Sequence, residues 1–372
     1  MELDLGELVL PSATPSAERV VKDEFGFNVA MNFAFVGVGQ GGSRIAEAFH
    51  RLGYRRVAAI NTTCQDLNDI QLPATSKLDL GQSGAGKDPQ IGRAAIEPRG
   101  QDVYDLLKRS WGAEIDYAFV CFGAGGGTGA GAYAKVVETV RQYMDDCKLP
   151  PNTGVIVALP KDTEGQRPAK NAVGVLSHLV KADYSPLLVI DNQKIREIYR
   201  NTPLSQEHAT ANTSLCQMLH LFNRLAGSDS THTVFDRADF AALLASKLVS
   251  FCVVDVSDWS DPTQITAAMR TQLAGSTLMS VDIGTSDKAG LLTVVSGDAY
   301  DKVPASTFEH CVQMLNNMLA KDSTVFQGVY PAKGNATMKL FVMLGNLKWP
   351  RQRLEALAKT AGVSLNGELA SL

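Results

Sequence analysis

Apolar positions along the chain switch repeatedly between continuous runs and helical spacing. Short apolar runs predict buried strands at 33–38, 56–60, 117–122, 154–159 and 186–190. Between them, apolar residues at helical intervals predict helices at 43–52, near 98–110, at 132–146 and at 168–181. Strand–helix alternation of this kind specifies a parallel, doubly wound α/β sheet. A long helix is expected from about Ala211, because Leu215, Met218, Leu219, Phe222, Leu225 and Ala226 share one face. A second α/β unit follows, with strands expected near 248–256, 277–283, 290–296, 324–331 and 337–345, and helices at 262–273 and 304–320. A last helix starts at Pro350, a favoured first-turn residue, and stops at Gly362. Residues 1–31 contain Pro11 and Pro15 and read as an extension with a short helix over 16–25 that could reach a neighbouring subunit. The division expected is an extension (1–31), a first domain (32–208), a central connecting helix (209–229) and a smaller second domain (230–372).

The chain's 372 residues suffice for two domains with their own cores. A net charge of −4 gives no overall drive toward nucleic acid or an acidic membrane. Six scattered cysteines without a C-x-x-C pair argue against a disulfide framework or zinc site, and for a reducing compartment. No apolar run approaches the roughly 20 residues that cross a bilayer, so no direct membrane insertion is expected. The first sixteen residues carry Glu2, Asp4 and Glu7 rather than the basic start of a secretory signal. A cytoplasmic protein is the expectation.

The most informative segment is Gly123-Ala124-Gly125-Gly126-Gly127-Thr128-Gly129-Ala130-Gly131. It lies where a buried strand becomes a helix. Glycines there let the backbone turn tightly and aim N–H groups at an anion, and the helix adds its positive end. Gly37-Val38-Gly39-Gln40-Gly41-Gly42 fits G-x-G-x-x-G, also between strand and helix. A dinucleotide site would want an acid about 20 residues on, but the next strand ends Asn61-Thr62-Thr63. Gly81 to Lys87 matches G-x-x-x-x-G-K, yet Asp88 stands where a P-loop needs Ser or Thr for Mg²⁺. Three glycine-rich loops at successive strand ends make sense together if they surround one polyphosphate.

These motifs resemble those of the tubulin/FtsZ superfamily of GTPases. Gly125 to Gly131 resembles its GGGTG[ST]G signature, and Gly39-Gln40-Gly41-Gly42-Ser43-Arg44-Ile45 its first phosphate loop. Ala59 to Leu67 is similar to A-I-N-T-D-x-Q-x-L of FtsZ, and Gly84 to Pro89 with Gly92-Arg93 to G-A-G-x-[ND]-P-x-x-G-[KR]. The resemblance spans about residues 32–347. It implies that Gly39, Gln40, Gly41, Arg44, Asn61, Gly84, Ala85, Gly86, Lys87, Gly125, Gly126, Gly127, Thr128 and Gly129 bind the phosphates of GTP or GDP. Gln40 would also lie near Mg²⁺. Glu164, in a segment resembling F-E-G-x-x-R, would bind ribose. Arg167 is expected to bind the nucleotide with it, although it comes one position early for that motif. Asn192 and Asn212 would read the guanine edge, since an amide supplies both donor and acceptor.

In this family an acidic loop of the next subunit completes hydrolysis. Here Asp236-Arg237-Ala238-Asp239 keeps the D-x-x-D of that loop, with Val234 where FtsZ has Asn. Asp236 and Asp239 are therefore the expected catalytic residues, one helical turn apart on one face; the bland alternative is a capped helix start with solvated acids. Thr63 replaces the FtsZ acid after A-I-N-T, which thins the metal contacts. The chain ends soon after the last helix, without the long linker and terminal peptide of FtsZ, which favours a divergent FtsZ-like or tubulin-like member. The resemblance implies a GTPase that partners itself head to tail in filaments. Division, cell shape, and DNA or phage positioning would all use the same engine, and the cargo adaptor or division partner is not named by the motifs. The alternative is a non-catalytic GTP-binding scaffold or a regulator of other filaments, with a nicotinamide-dependent dehydrogenase a distant third.

Overall fold

The computed structural model describes residues 3–4, 29–198, 204–228, 233–333 and 337–371. In chain order the first half contains β1 (Leu3–Asp4), β2 (Phe33–Val38), α1 (Gly39–Arg51), β3 (Val57–Asn61), α2 (Cys64–Asn68), β4 (Lys77–Asp79), α3 (Pro89–Ile96), α4 (Gly100–Trp111), β5 (Tyr117–Gly123), α5 (Thr128–Asp146), β6 (Thr153–Leu159), α6 (Gln166–Leu179), β7 (Leu187–Asp191), α7 (Asn192–Ile198) and α8 (Leu204–Leu225). The second half contains α9 (Arg237–Leu244), β8 (Leu248–Val256), α10 (Pro262–Gln272), β9 (Lys288–Ser296), α11 (Ala305–Met318), β10 (Thr324–Lys333), β11 (Thr337–Gly345), α12 (Arg351–Ala361) and α13 (Glu368–Ser371). Among the described residues all strands join one sheet, ordered β4-β3-β2-β5-β6-β7-β8-β11-β9-β10-β1. Neighbours are parallel except that β11 runs antiparallel to both β8 and β9. The result is the two-domain α/β architecture expected, with the two halves sharing a sheet.

Strand β2 explains why the first half reads as solid apolar runs. Phe33 and Phe35 face α1 and α8, among Phe49, Leu219 and Phe222. Ala34, Val36 and Val38 face the other side, among Val103, Leu107, Val136 and Val140. A strand covered by helices on both faces has no polar side to alternate. The helical stripe from Leu215 to Ala226 is buried on the Phe33–Phe35 side, as its spacing predicts.

Helices α1 and α5 start four residues earlier than their apolar periods, at Gly39 and Thr128. Glycine-rich turns carry no apolar signal, so periodicity misses the first helical turn. The short elements α2, β4, α3, α7 and α9 also escape it. The expected helix over 16–25 lies outside the described residues. Leu3–Asp4 of the extension pairs in parallel with Ala332–Lys333 of its own chain.

The strand expected at 277–283 is not one. β7 and β8 pair only at Leu187–Leu188 with Leu248–Val249, then diverge. The gap is filled by a loop. The Ser276 hydroxyl accepts from Val253 N and donates to Val253 O, both at 2.9 Å. The Gln272 amide does the same for Asp255, at 2.8 and 3.1 Å. Asp191 N donates to the Leu278 carbonyl at 2.9 Å. Side chains thus stand in for strand backbone, while Leu278 and Met279 supply the buried apolar filling. The apolar run reported burial, which is only one property of a strand.

Candidate functional site

Strand order reverses around β2 and β5: β3 and β4 extend one way, β6 and β7 the other. In open α/β sheets such a switch point leaves a crevice at the carboxyl ends of the strands. Here that crevice has a volume of about 410 Å³. Its lining includes Gly39, Gln40, Gly41, Arg44, Asn61, Gly84, Ala85, Gly86, Lys87, Gly125, Gly126, Gly127, Thr128, Gly129, Glu164, Asn192 and Asn212. Every expected binding residue except Arg167 is therefore gathered at one place.

The loops interlock because their glycines leave no room for side chains. Gly39 has φ +70°, and a Cβ on it would lie 2.8 Å from Gly129 N. A Cβ on Gly127 would lie 2.6 Å from Ala85 Cβ and 2.7 Å from Asp88 N. The N-termini of α1 and α5 open on the crevice, each a positive dipole end with free N–H groups. Arg44 and Lys87 line it, and neither has a carboxylate partner among the described residues. The Asn171 amide donates to the carbonyls of Lys87 at 2.9 Å and Gly125 at 3.1 Å, tying two loops together. The Thr62 and Thr128 hydroxyls, both in the lining, bond each other at 2.6 Å. This donor-rich, cationic cradle suits a polyphosphate.

Among the lining residues missed from sequence, Asp66 is the charged one. Thr63 caps α2, its hydroxyl accepting from Asp66 N at 3.1 Å. That turn brings the Asp66 carboxylate back over the crevice, where it accepts from Asn61 Nδ2 at 3.0 Å and Gln40 Nε2 at 3.4 Å. The Thr-x-x-Asp spacing of a helix start was the available signal. Asp66 has no cationic partner among the described residues, and a carboxylate beside a phosphate cradle repels its ligand unless a cation lies between them. Mg²⁺ is commonly held by one or two carboxylates plus substrate phosphates, so this donor set fits it.

At the other end of the crevice, Lys161 N donates to Glu164 Oε1 at 2.8 Å, which fixes the turn carrying Glu164. The Asn192 and Asn212 amides also face the crevice, and neither is taken up by another protein group among the described residues. Arg167 points elsewhere: its guanidinium pairs with Asp88 at 3.1 Å on the outer side of the loop. With Pro168 directly after it at the start of α6, the arginine is one position early to reach inward.

Asp236 and Asp239 stand far from this crevice. They form a reciprocal cap on α9: Asp236 Oδ1 accepts from Ala238 N and Asp239 N, and Asp239 Oδ2 accepts from Asp236 N. The bland reading of a capped helix start thus describes their local geometry. Burial raises the Asp239 pKa, the Asp236 N–H opposes this, and the neighbouring Asp236 charge adds to it. Arg237, between them, pairs with Asp116 at 2.7 Å and donates to the Ala30 carbonyl. Asp116 immediately precedes β5, whereas Gly123 at the end of β5 lines the crevice. Seven extended residues separate the two places by roughly 20 Å. Val234, beside the acids, is 47% exposed.

Sequence comparison places this geometry. Residues 32–200 match the model of the Tubulin/FtsZ family, GTPase domain. The cell division protein FtsZ 1 of Pyrococcus woesei is 32% identical over 270 residues, covering 70% of this chain and 68% of that protein. The chain belongs to the tubulin/FtsZ family. The tubulin-like protein TubZ of Bacillus cereus is 27% identical over 239 residues, 58% of this chain. That match spans about half of the TubZ length, 53%. Among solved structures, the GTPγS-form protofilament of TubZ from Bacillus thuringiensis serovar israelensis superposes with a TM-score of 0.75 at 18% identity, covering 92% of this chain and 93% of that one. The GTPγS-bound protofilament of CetZ2 from Haloferax volcanii gives 0.73 at 20% identity, covering 89% and 98%. At such identities these structures establish the tubulin/FtsZ fold. No described helix is long and apolar enough to cross a membrane.

Proposed function

We propose that this chain binds GTP in the crevice and assembles head to tail into filaments, each contact completing a hydrolytic site with Asp236 and Asp239 of the next subunit. The observation that carries this reading is the separation of crevice and acid pair along β5. Two halves of one site at opposite ends of a subunit meet only between subunits, and such a heterologous contact propagates. Family membership and the protofilament relatives support the same reading.

The three glycine loops, Arg44, Lys87 and Thr128 would hold the phosphates, Glu164 the ribose, and Asn192 and Asn212 the guanine edge. Gln40, Asn61 and Asp66 would hold Mg²⁺, which supplies charge neutralisation between the phosphate oxygens. Among the described residues, capping leaves Asp236 Oδ2 and Asp239 Oδ1 without a protein hydrogen bond, so each acid keeps one oxygen for a water. A raised pKa makes Asp239 a better proton acceptor than an ordinary carboxylate. The attacking water would give its proton to that carboxylate and form the new P–O bond, with GDP leaving. The division into 32–208, a connecting helix at 209–229 (observed as α8, Leu204–Leu225, so that it begins earlier and ends sooner than its apolar stripe predicts) and 230–372, and a cytoplasmic setting, belong to the same reading.

A second reading, a non-catalytic GTP-binding scaffold, is favoured by one observation: both acids are already engaged in capping α9. One experiment separates the two. GTP turnover and light scattering are followed together across protein concentration. A threshold above which both rise supports the assembling GTPase. Constant turnover per subunit sinks the split site, and nucleotide binding without turnover or scattering leaves the scaffold.

A further inference from the structure

Apart from Asn212 of α8, the nucleoside end of the crevice is built from two separate segments. One is the turn 160–164, with Pro160 and Glu164 in the lining; the other is the end of β7, where Asn192 follows Asp191. Neither segment is held only by its neighbours. Both are gripped by one residue, 162 positions beyond Asp191 and 193 beyond Pro160.

That residue is Arg353, in the first turn of α12. Its Nε donates to Asp191 Oδ2 at 2.8 Å, its Nη1 to Asp162 Oδ1 at 2.5 Å and its Nη2 to the Pro160 carbonyl at 2.7 Å. The side chain is 7% exposed, and Asp191 is buried almost completely. Burial pushes the Asp191 carboxyl up, against the pull of the guanidinium. Charge-assisted bonds from a planar fork fix direction as well as distance. The same junction is cross-linked once more, by Asp162 N donating to Gln193 Oε1 at 3.3 Å. Helix α12 is seated on α6 through Leu354, Leu357 and Ala361, and Gln166 Nε2 donates to the Ala361 carbonyl at 3.1 Å.

We propose that Arg353 is a positioning residue for nucleoside recognition: it sets the spacing between the Glu164 turn and Asn192, and so couples the C-terminal helix to the ribose and base end of the crevice while leaving the phosphate end alone. The inference rests on the GTP-binding reading above. None of its three acceptors belongs to a glycine loop, so the phosphate cradle keeps its own supports, Asn171 and the Thr62–Thr128 contact.

The test measures two affinities on the full chain: GDP by titration, and inorganic tripolyphosphate by competition against GTPγS. Arg353→Met should weaken GDP about 10- to 100-fold, the scale of loss that small misplacements produce, with tripolyphosphate unchanged within about twofold. Arg353→Lys should fall between, because a point charge cannot serve three acceptors at once. If Arg353→Met does not fold, Arg353→Met with Asp162→Asn and Asp191→Asn removes every stranded charge and is measured instead. Undiminished GDP affinity overturns the proposal. Parallel loss of GDP and tripolyphosphate also overturns it, since general structural support would weaken both. Wild-type chain that binds tripolyphosphate but no guanine nucleotide would refute the underlying reading itself.

Discussion

The hydroxyls of Thr62 and Thr128 meet at 2.6 Å in a buried contact that joins the end of β3 to the first residue of α5. Both residues line the crevice, and the Thr62 hydroxyl anchors that of Thr128. Thr62→Val keeps the shape and deletes the bond. A typical buried hydrogen bond contributes about 1 kcal/mol, so GTPγS affinity should fall roughly fivefold. Calorimetric titration checks this; unchanged affinity would mean that Thr128 needs no anchor.

Capping and catalysis by Asp236 are separable. Asn caps a helix about as well as Asp, so Asp236→Asn should leave the melting temperature within about 2 °C while abolishing most turnover. Asp236→Ala should lose turnover and also about 1 kcal/mol of stability. Mixing Asp236→Asn chains with chains carrying a blocked crevice, such as Gly127→Val, should restore part of the activity, because each supplies the half the other lacks. A mixture as inactive as its parts would refute the split site.

Chelation should expose the role of Asp66. With EDTA, Asp66→Asn should bind GDP at least as tightly as wild type, because a carboxylate facing phosphate has been neutralised. Added Mg²⁺ should tighten wild type several-fold and the variant much less. Moving the carboxylate back, in Asp66→Asn with Thr63→Asp, should recover the Mg²⁺ response. Equal Mg²⁺ responses in wild type and Asp66→Asn would show that the cation is held without this residue.

Acid should destabilise the chain through His220. This buried side chain of α8 bonds the Tyr54 hydroxyl at 3.2 Å, and burial, with a smaller contribution from Arg224, lowers its pKa to about 3. The folded state keeps the ring neutral while the unfolded state protonates it near pH 6.5, so stability falls as pH drops from about 6.5 toward 3. At pH 5.5 the loss is about 1 kcal/mol. His50 and His178 are shifted in the same direction by burial. Melting scans at pH 7 and 5.5 should show a smaller drop for His220→Gln than for wild type, and equal drops would exclude His220 as the group responsible.

What the amino-acid order settles by itself is local. A strand buried on both faces must be continuously apolar, so β2, β5, β6 and β7 were legible. A phosphate loop is a strand–glycine turn–helix unit within about fifteen residues, so the lining from Gly39 to Arg44 and from Gly125 to Gly129 could be named in advance. Tertiary structure alone decided the rest. Asp66 enters the crevice because α2 turns back on its cap. Arg167 leaves it because Asp88 captures the guanidinium. The run 277–283 becomes a loop because β7 and β8 diverge beside it. Arg353 grips Asp162 and Asp191, and Asp236 ends up at the far end of β5 from Gly123, through contacts between distant parts of the chain. Such contacts leave no periodic trace, because they depend on where whole elements pack and not on the spacing of residues within one.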